Sequence, residues 1–270
     1  MRHNRAPRLI RAARWARLVV HLAEAAYILG VRWPRASASR REALAAGWSL
    51  GLLRLLAIRV EVEGETPQGA RREPALLVAN HVSWLDIFAI GAVRHTRFIA
   101  KHEIRDWPLA GWIANRAGTL FVRRGSRKDA ARTTEAMREA LSSGDWVGFF
   151  PEGTTTEGDQ LLRFHSALFE PAIGHGAPVR PVAVRYEHPD GTLLREAAFV
   201  GDMSFAESLG RVIGVRSTVV RIVFAPPIEA AQGDRRSIAS EAERRIASAL
   251  GVTPTSRAPE TPAGPPGAAP

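Results

Sequence analysis

The stretch ALLVANHVSWLDIFAI, residues 75–90, changes its hydrophobic pattern in the middle. Its first five residues, 75–79, form a continuous apolar run, which is typical of a strand buried on both faces of a sheet. Apolar residues resume around Asp86 and predict a helix that extends to about Val93. A strand, a polar loop and a helix in this order predict an α/β fold, with His81 at the carboxyl end of the strand.

Further strand and helix patterns alternate along the chain. Strands are predicted at 59–64, 97–100, 119–122, 146–150, 179–186, 197–201 and 217–224, and helices at 18–31, 43–58, 126–143 and 234–250. Because strands separated by helices favour parallel pairing, we expect an α/β sandwich whose mixed, largely parallel sheet is flanked by helices. This domain is predicted to span residues 59–252. Prolines and alanines without periodicity predict a disordered tail over residues 253–270.

Residues 1–58 are predicted to form amphipathic and apolar membrane-associating helices ahead of this domain. Arginines precede the apolar segment 18–31, and Ser39 with Glu42 predicts a capping box before the apolar segment 43–58. Each segment is shorter than the ~20 residues that cross a bilayer, so we expect both to lie in one leaflet. Helices that cover a soluble core, and a cleaved signal peptide, remain alternatives.

Composition narrows the possible partners and chemistry. The chain has 270 residues, a formal net charge of +10 and no cysteine. The absence of cysteine excludes disulfides and a thiol nucleophile. The positive charge favours nucleic acid, a phospholipid surface or a phosphorylated substrate, although a GC-rich coding bias also explains an arginine excess. Since no aromatic stacking set or DNA-binding motif accompanies the arginines, we predict no nucleic-acid partner.

Two other kinds of site are disfavoured by their local patterns. Residues 47–51, GWSLG, match the nucleophile elbow of serine ester hydrolases, but that elbow needs a strand before the serine. Ser49 has a helical pattern on both sides, so a hydrolase is only a distant alternative. We also predict no metal, because four histidines lack ligand spacing with carboxylates: His95, His102, His175 and His188.

His81 and Asp86 can form a catalytic pair only in one arrangement. On a single helix, residues five apart point about 140° away from each other. The two side chains therefore meet only if His81 lies in the loop and Asp86 in the first turns of the next helix. The carboxylate would then select the imidazole tautomer and leave the other ring nitrogen as a base near neutral pH. A purely local turn device is the alternative.

Four sequence blocks resemble those of the glycerolipid acyltransferases, the family typified by 1-acylglycerol-3-phosphate acyltransferase. NHVSWLD, which begins at Asn80, resembles the His-x4-Asp motif of the family. GTLFVRRG (118–125), FFPEGTTTEG (149–158) and GAPVRPVAV (176–184) are similar to the three blocks that follow it. Four blocks in the family's order are far more specific than any one of them.

The resemblance implies transfer of a fatty acyl group from acyl-carrier protein or coenzyme A to a lysophospholipid hydroxyl. The simplest acceptor is 1-acylglycerol-3-phosphate, which gives phosphatidic acid. It also implies that His81 is the general base, that Asp86 orients it, and that no covalent intermediate or further cofactor is needed. The expected location is the cytoplasmic face of a bacterial inner membrane, as a peripheral or monotopic protein.

The resemblance further implies a set of substrate-binding residues, Arg123, Arg124, Glu152, Gly153 and Thr154. Arg124 matches the arginine that helps to bind the acceptor phosphate in the family. An arginine fork suits a phosphate geometrically.

Two positions depart from the phosphatidic-acid-forming pattern. Thr155 stands where those members have arginine, and His165 stands where many have lysine. Because two expected cations are missing, lyso-ornithine lipid, whose head group has no phosphate, remains an alternative acceptor.

Overall fold

A computed structural model describes residues 4–65, 73–106, 110–122 and 127–255. Within these ranges the strands are β1 (Ile58–Gly64), β2 (Ala75–Ala79), β3 (Arg97–Lys101), β4 (Leu120–Val122), β5 (Trp146–Phe149), β6 (Val179–Glu187) and β7 (Thr218–Phe224). The α-helices are α1 (Arg8–Tyr27), α2 (Ala38–Leu55), α3 (Leu85–Val93), α4 (Ala110–Arg116), α5 (Arg127–Ser142), α6 (Glu170–His175), α7 (Phe205–Gly214) and α8 (Arg235–Leu250).

The strands form one sheet in the order β1-β7-β6-β2-β5-β3-β4. Among the described pairings, β6 with β7 is antiparallel and the others are parallel. Strand β2 lies in the interior of the sheet and all five of its residues are buried, as its continuous apolar run predicts. Because β2, β5 and β3 are parallel neighbours, the loops after them meet at one edge of the sheet.

Helices cover both faces of the sheet. One face packs against α2, α3 and α7 through fully buried side chains that include Leu53, Leu85 and Ile213. The other packs against α5, α6 and α8, with Met137 and Ile246 among the fully buried residues. The predicted α/β sandwich with a mixed, largely parallel sheet is therefore confirmed.

Helix α1 is attached to the sandwich by a buried arginine. The Arg14 side chain is only 7% exposed, and burial lowers the pKa of its guanidinium. It donates to three carbonyl oxygens at and after the end of α7, those of Ile213 (2.9 Å), Val215 and Arg216 (3.0 Å). The cation thus satisfies carbonyl groups that a helix end leaves without partners.

Helix α1 also packs on α2 through one aromatic contact. The His21 ring stacks on Trp48 with centroids 4.7 Å apart, and the Trp48 indole N–H donates to the His21 carbonyl at 3.1 Å. Gly51 lies so close to His21 that an added Cβ would come within 2.9 Å of the ring. Among the described residues, no helix combines the length and the hydropathy that crossing a bilayer requires.

The face of α1 that points away from the sandwich is apolar. Leu9, Val20 and Tyr27 are 85%, 70% and 58% exposed. Together with three exposed alanines they form what we call the α1 stripe, at the spacing of one helix face: Leu9, Ala13, Ala16, Val20, Ala23 and Tyr27.

The predicted strand at 197–201 is wrong. The chain forms a short 3₁₀-helix at Arg195–Ala197 and then runs without regular structure. The Phe199 N–H donates to the Val82 carbonyl at 2.9 Å, so this segment binds the loop after β2 instead of joining the sheet.

The start of α2 also differs from its prediction. The N-cap is Ser37, whose hydroxyl accepts from the Arg40 N–H at 3.3 Å, so the cap lies two residues before the proposed one at Ser39 and the helix begins at Ala38. Helix α7 was not predicted, although its buried Leu209 shares one face with later apolar residues.

The first three residues of the predicted disordered tail, 253–255, are in contact with the domain. Thr255 donates its N–H to the Leu161 carbonyl at 2.9 Å, so residues 253–255 lie against the sandwich. Residues 256–270 lie outside the described ranges.

Candidate active site

Asn80 extends the contact between β2 and β6 beyond the end of β2. Its side-chain amide donates to the Val184 carbonyl at 2.9 Å, and its side-chain oxygen accepts from the Val184 N–H at 2.7 Å. A side chain thus takes over the pattern of a backbone ladder at a buried position. The position of the next residue, His81, is therefore fixed relative to both strands.

His81 and Asp86 are in direct contact. His81 Nδ1 lies 2.8 Å from Asp86 Oδ2, with His81 in the loop and Asp86 in the first turn of α3. The same oxygen accepts from the N–H groups of Val82 (2.8 Å) and Ser83 (3.0 Å). Asp86 therefore also caps the loop at the start of its own helix. The same carboxylate stabilises the local turn and contacts His81, so the two alternatives are both present in this structure.

Asp86 accepts hydrogen bonds on both of its oxygens. The residue is fully buried, and its other oxygen, Oδ1, accepts from the Tyr186 hydroxyl at 2.8 Å. Burial first, and then the neighbouring carboxylate, raises the pKa of Tyr186 well above its usual value, so the phenol remains a donor. The Val82 and Ser83 amides and the Tyr186 hydroxyl all donate, so both oxygens of Asp86 serve as acceptors.

It follows that the Nδ1–H of His81 donates to Asp86. Its Nε2 is then the nitrogen with a free lone pair, which is the form that a general base requires. The His81 side chain is 21% exposed, whereas Asp86 is 0% exposed. The pair thus presents a base to the surface of the loop and keeps the supporting charge inside.

Two aromatic rings hold the plane of the imidazole. The His81 ring stacks on Phe150 with centroids 3.9 Å apart and planes 6° apart. Phe150 in turn stacks on Phe98 at 5.5 Å and 10°. Because these rings come from the ends of β5 and from β3, the edge of the parallel sheet builds an apolar wall beside the imidazole.

Glu152 binds the backbone of the same loop. It is 2% exposed, and its carboxylate oxygens accept from the N–H groups of His81 (2.7 Å) and Leu162 (2.9 Å). Burial raises the pKa of Glu152 to about 7, against the lowering effect of the two amide donors. Its contacts thus join the loop after β2 to the loop after β5, and its substrate-binding role stays a prediction.

Gly153 and Thr154 follow at the surface. Gly153 has φ +73°, a left-handed conformation that favours glycine, and an added Cβ would lie 3.4 Å from the His165 ring. Thr154 is exposed, while the Thr155 hydroxyl donates to the Phe199 carbonyl. Thr155 therefore ties the loop to a neighbouring segment at the position where a cation was expected.

The predicted phosphate-binding pair, Arg123 and Arg124, lies outside the described residues. Its role stays a prediction. Within the described ranges, no three His, Asp or Glu side chains are grouped as metal ligands.

An apolar cavity of about 110 Å³ lies between the N-terminal helices and the sheet. Its walls include Trp48, Phe88 and Phe98, and the last of these is part of the aromatic stack beside His81. Burial lowers the pKa of His95, which also lines the cavity. Ser49 is a buried wall residue inside α2, not the turn after a strand that a nucleophile elbow requires.

Three contributors to the site were missed at the sequence level: Asn80, Phe150 and Tyr186. Asn80 and Phe150 belong to the quoted sequence blocks. Their positions next to His81 and close to Glu152 were the signal that could have identified them as site residues.

The sequence signal for Tyr186 was weaker: it is a side chain with a polar hydroxyl beside the apolar residues Val182 and Val184 in a buried strand. Its contact with Asp86 spans 100 residues of chain and no local pattern indicates it.

The chain matches known proteins over most of its length. A family model described as Acyltransferase matches residues 59–185. A lyso-ornithine lipid O-acyltransferase of Pseudomonas aeruginosa is 40% identical over 245 residues, covering 90% of this chain and 93% of the relative. A 1-acyl-sn-glycerol-3-phosphate acyltransferase of Neisseria meningitidis serogroup B is 39% identical over 197 residues, covering 73% of this chain and 76% of the relative.

The fold has a solved counterpart. The crystal structure of the 1-acyl-sn-glycerophosphate acyltransferase from Thermotoga maritima superposes with a TM-score of 0.69 at 20% identity. The alignment covers 90% of this chain and 94% of that chain.

Proposed function

Because the chain belongs to the glycerolipid acyltransferase family, we propose that it transfers a fatty acyl group from a thioester to the free hydroxyl of a lysolipid. The observation that carries this proposal is the 2.8 Å contact between His81 and the fully buried Asp86 at the carboxyl edge of the sheet. A buried, ionised partner and a partly exposed imidazole are what a general base requires.

The reaction follows from the arrangement of the pair. Nε2 of His81 takes the proton from the acceptor hydroxyl as the oxygen attacks the thioester carbonyl. The tetrahedral species expels the thiolate of acyl-carrier protein or coenzyme A, which receives the proton. The imidazolium formed in between is stabilised by Asp86. General-base catalysis of this kind contributes ~10²–10⁴-fold.

No enzyme nucleophile takes part in this scheme, because the thioester is already activated. The chain has no cysteine, and Ser49 is buried in a helix away from any strand-to-helix turn. We therefore propose direct transfer without a covalent intermediate. The apolar cavity beside Phe98 is the proposed site for the acyl chain, since its walls are hydrophobic and continuous with the aromatic stack.

The α1 stripe supports attachment to a membrane surface, at the proposed cytoplasmic face of a bacterial inner membrane. An exposed apolar helix face that is flanked by arginines binds at the interface between head groups and acyl chains. Arg14 and Trp48 hold this helix against the domain, so attachment would also orient the active site. We expect Val20→Asp to reduce sedimentation with phosphatidylethanolamine–phosphatidylglycerol vesicles, while Ser240→Asp, on an exposed position of α8, leaves it unchanged.

Two acceptors are candidates for this reaction. The family resemblance favours 1-acylglycerol-3-phosphate. Thr155 and His165 favour lyso-ornithine lipid instead, because the Thr155 hydroxyl is bound to a backbone carbonyl and offers no charge to a phosphate.

A direct assay tests the proposal. Purified protein is supplied with labelled acyl-carrier-protein and coenzyme A thioesters and with a panel of lysolipids that includes both acceptors, and the products are identified by mass spectrometry. We expect O-acylation of one acceptor, with release of free thiol in equal amount. Thioester hydrolysis without any acylated lipid would contradict the proposal.

A further inference from the structure

The two oxygens of Asp86 have different partners. Oδ2 accepts from the imidazole and from two backbone amides of the loop. Oδ1 accepts from the Tyr186 hydroxyl at 2.8 Å, which joins the first turn of α3 to β6. Tyr186 is 1% exposed, and its ring belongs to the core on the α3 side of the sheet.

We propose that Tyr186 is a positioning residue, which acts on His81 through Asp86. Its hydroxyl holds the carboxylate plane and draws negative charge away from the oxygen that faces the imidazole. This inference rests on the proposed function, because it assigns a role within the same His–Asp pair.

The fixed distances explain how the phenol can control the base. Two loop amides and the imidazole converge on Oδ2 and restrain rotation of the carboxylate about its Cβ–Cγ bond through that oxygen. The Tyr186 hydroxyl limits it on the other side, from a strand whose register with β2 is set by the Asn80–Val184 contacts. The imidazole orientation therefore depends on two adjacent strands.

The phenol also adjusts the charge that His81 experiences. In a buried site, a hydrogen bond to a carboxylate disperses charge that no solvent can disperse. If the hydroxyl is removed, Oδ1 remains buried without its donor, and the His–Asp pair holds a proton more strongly. The basic form of the pair then appears only at higher pH.

The chain offers a matched pair of variants, because it contains only two tyrosines, Tyr27 and Tyr186. Tyr186→Phe removes the buried hydroxyl and keeps the ring, while Tyr27→Phe removes an exposed hydroxyl of α1. The measurement is kcat/KM for acyl transfer between pH 5 and pH 9, in the same detergent, with melting temperature and circular dichroism as checks on folding.

For Tyr186→Phe we expect the acid limb of the pH profile to move to higher pH by about one unit, the size expected for losing one hydrogen bond to a charged group. On the acid side of the profile, below both apparent pKa values, we expect kcat/KM to fall about tenfold, since one such unit corresponds there to a factor of ten. Tyr27→Phe, a change in the α1 stripe far from Asp86, should leave the acid limb at the parental pH. A Tyr186→Phe profile that is lower at every pH but has the parental acid limb would overturn the inference, because a packing defect produces that result.

A second variant keeps the inference testable if Tyr186→Phe does not fold. Expression with 3-fluorotyrosine in the Tyr27→Phe background labels Tyr186 alone and makes its hydroxyl a stronger donor with little change in shape. The acid limb should then move to lower pH, opposite to the effect of phenylalanine. An unmoved limb in the fluorinated protein would also reject the inference.

The His81→Ala variant separates this inference from the proposed function. If His81→Ala keeps parental activity, the proposed base is wrong. If His81→Ala is inactive and both Tyr186 changes leave the acid limb in place, only the role of Tyr186 is wrong.

Discussion

Replacing Glu152 by glutamine makes protein stability depend on pH in a way that the structure specifies. The parent carboxyl is buried, and its pKa in the folded protein is about 7, compared with 4.5 in the unfolded chain. Because the folded pKa is the higher one, the folded state binds more protons than the unfolded state between these values. The protonated Glu152 carboxyl therefore makes its full contribution to the stability of the parent below pH 4.5, and this contribution is lost as the pH rises through 7.

The size of the effect follows from the two pKa values. Each unit of difference corresponds to 1.36 kcal/mol, so the complete loss is about 3 kcal/mol, of which about 2.5 kcal/mol falls between pH 5 and pH 8. Glutamine does not ionise and has no such loss. It also places an amide nitrogen where a carboxylate oxygen accepts from the His81 or Leu162 N–H, which costs about 1–3 kcal/mol at every pH.

The prediction concerns the difference between the two proteins, in which the other titrating groups cancel. Urea unfolding, followed by tryptophan fluorescence at several pH values from 5 to 8, gives the free energy of unfolding of each. Glu152→Gln should be less stable than the parent at pH 5, and its stability relative to the parent should rise by about 2.5 kcal/mol by pH 8, which makes it the more stable protein there. Glu229→Gln, at an exposed position, should show a difference that does not vary with pH.

A gap between parent and Glu152→Gln that stays constant from pH 5 to pH 8 would refute this reasoning. It would mean that the carboxyl is ionised in the folded protein throughout, with its desolvation balanced by the two amide donors. Glu152 would then be a permanent anion under the His81 loop.

Three further experiments test other parts of the structure. Arg14→Leu should cost about 3 kcal/mol, because three buried carbonyls lose charged donors, and should expose α1 to limited proteolysis; the exposed Arg17→Leu should do neither. Gly153→Ala and Gly176→Ala should each lose about 1 kcal/mol, since both have positive φ, but only Gly153→Ala, beside the site, should lose activity. Ser49→Ala should retain acyl transfer, whereas ester hydrolysis by the parent that Ser49→Ala loses without loss of stability would favour the hydrolase alternative.

The parts of the fold that the sequence predicts are those with local signals. The run 75–79 is buried on both faces because it forms an interior strand, and the alternating run 59–64 forms the edge strand β1. The contact between His81 and Asp86 follows from their spacing once one is placed in a loop and the other in a helix. Each of these inferences needs only a few adjacent residues.

The parts that could not be predicted depend on distant contacts. Asn80 binds Val184 and Tyr186 binds Asp86 across about a hundred residues of chain, so neither partner is visible in a local window. The segment 197–201 has the composition of a strand, yet the Phe199 N–H binds the Val82 carbonyl and the strand does not form. Here a tertiary contact outweighs local propensity.

The central claim is that His81 removes the proton of the acceptor hydroxyl, and its most direct test is the rate of acyl transfer by His81→Ala. The assay uses the acceptor and the thioester identified for the parent, with stability measured in parallel. We predict a loss of at least ~100-fold in kcat with the fold retained, since general-base assistance is worth that much or more. Acyl transfer at the parental rate by a folded His81→Ala protein would contradict the claim.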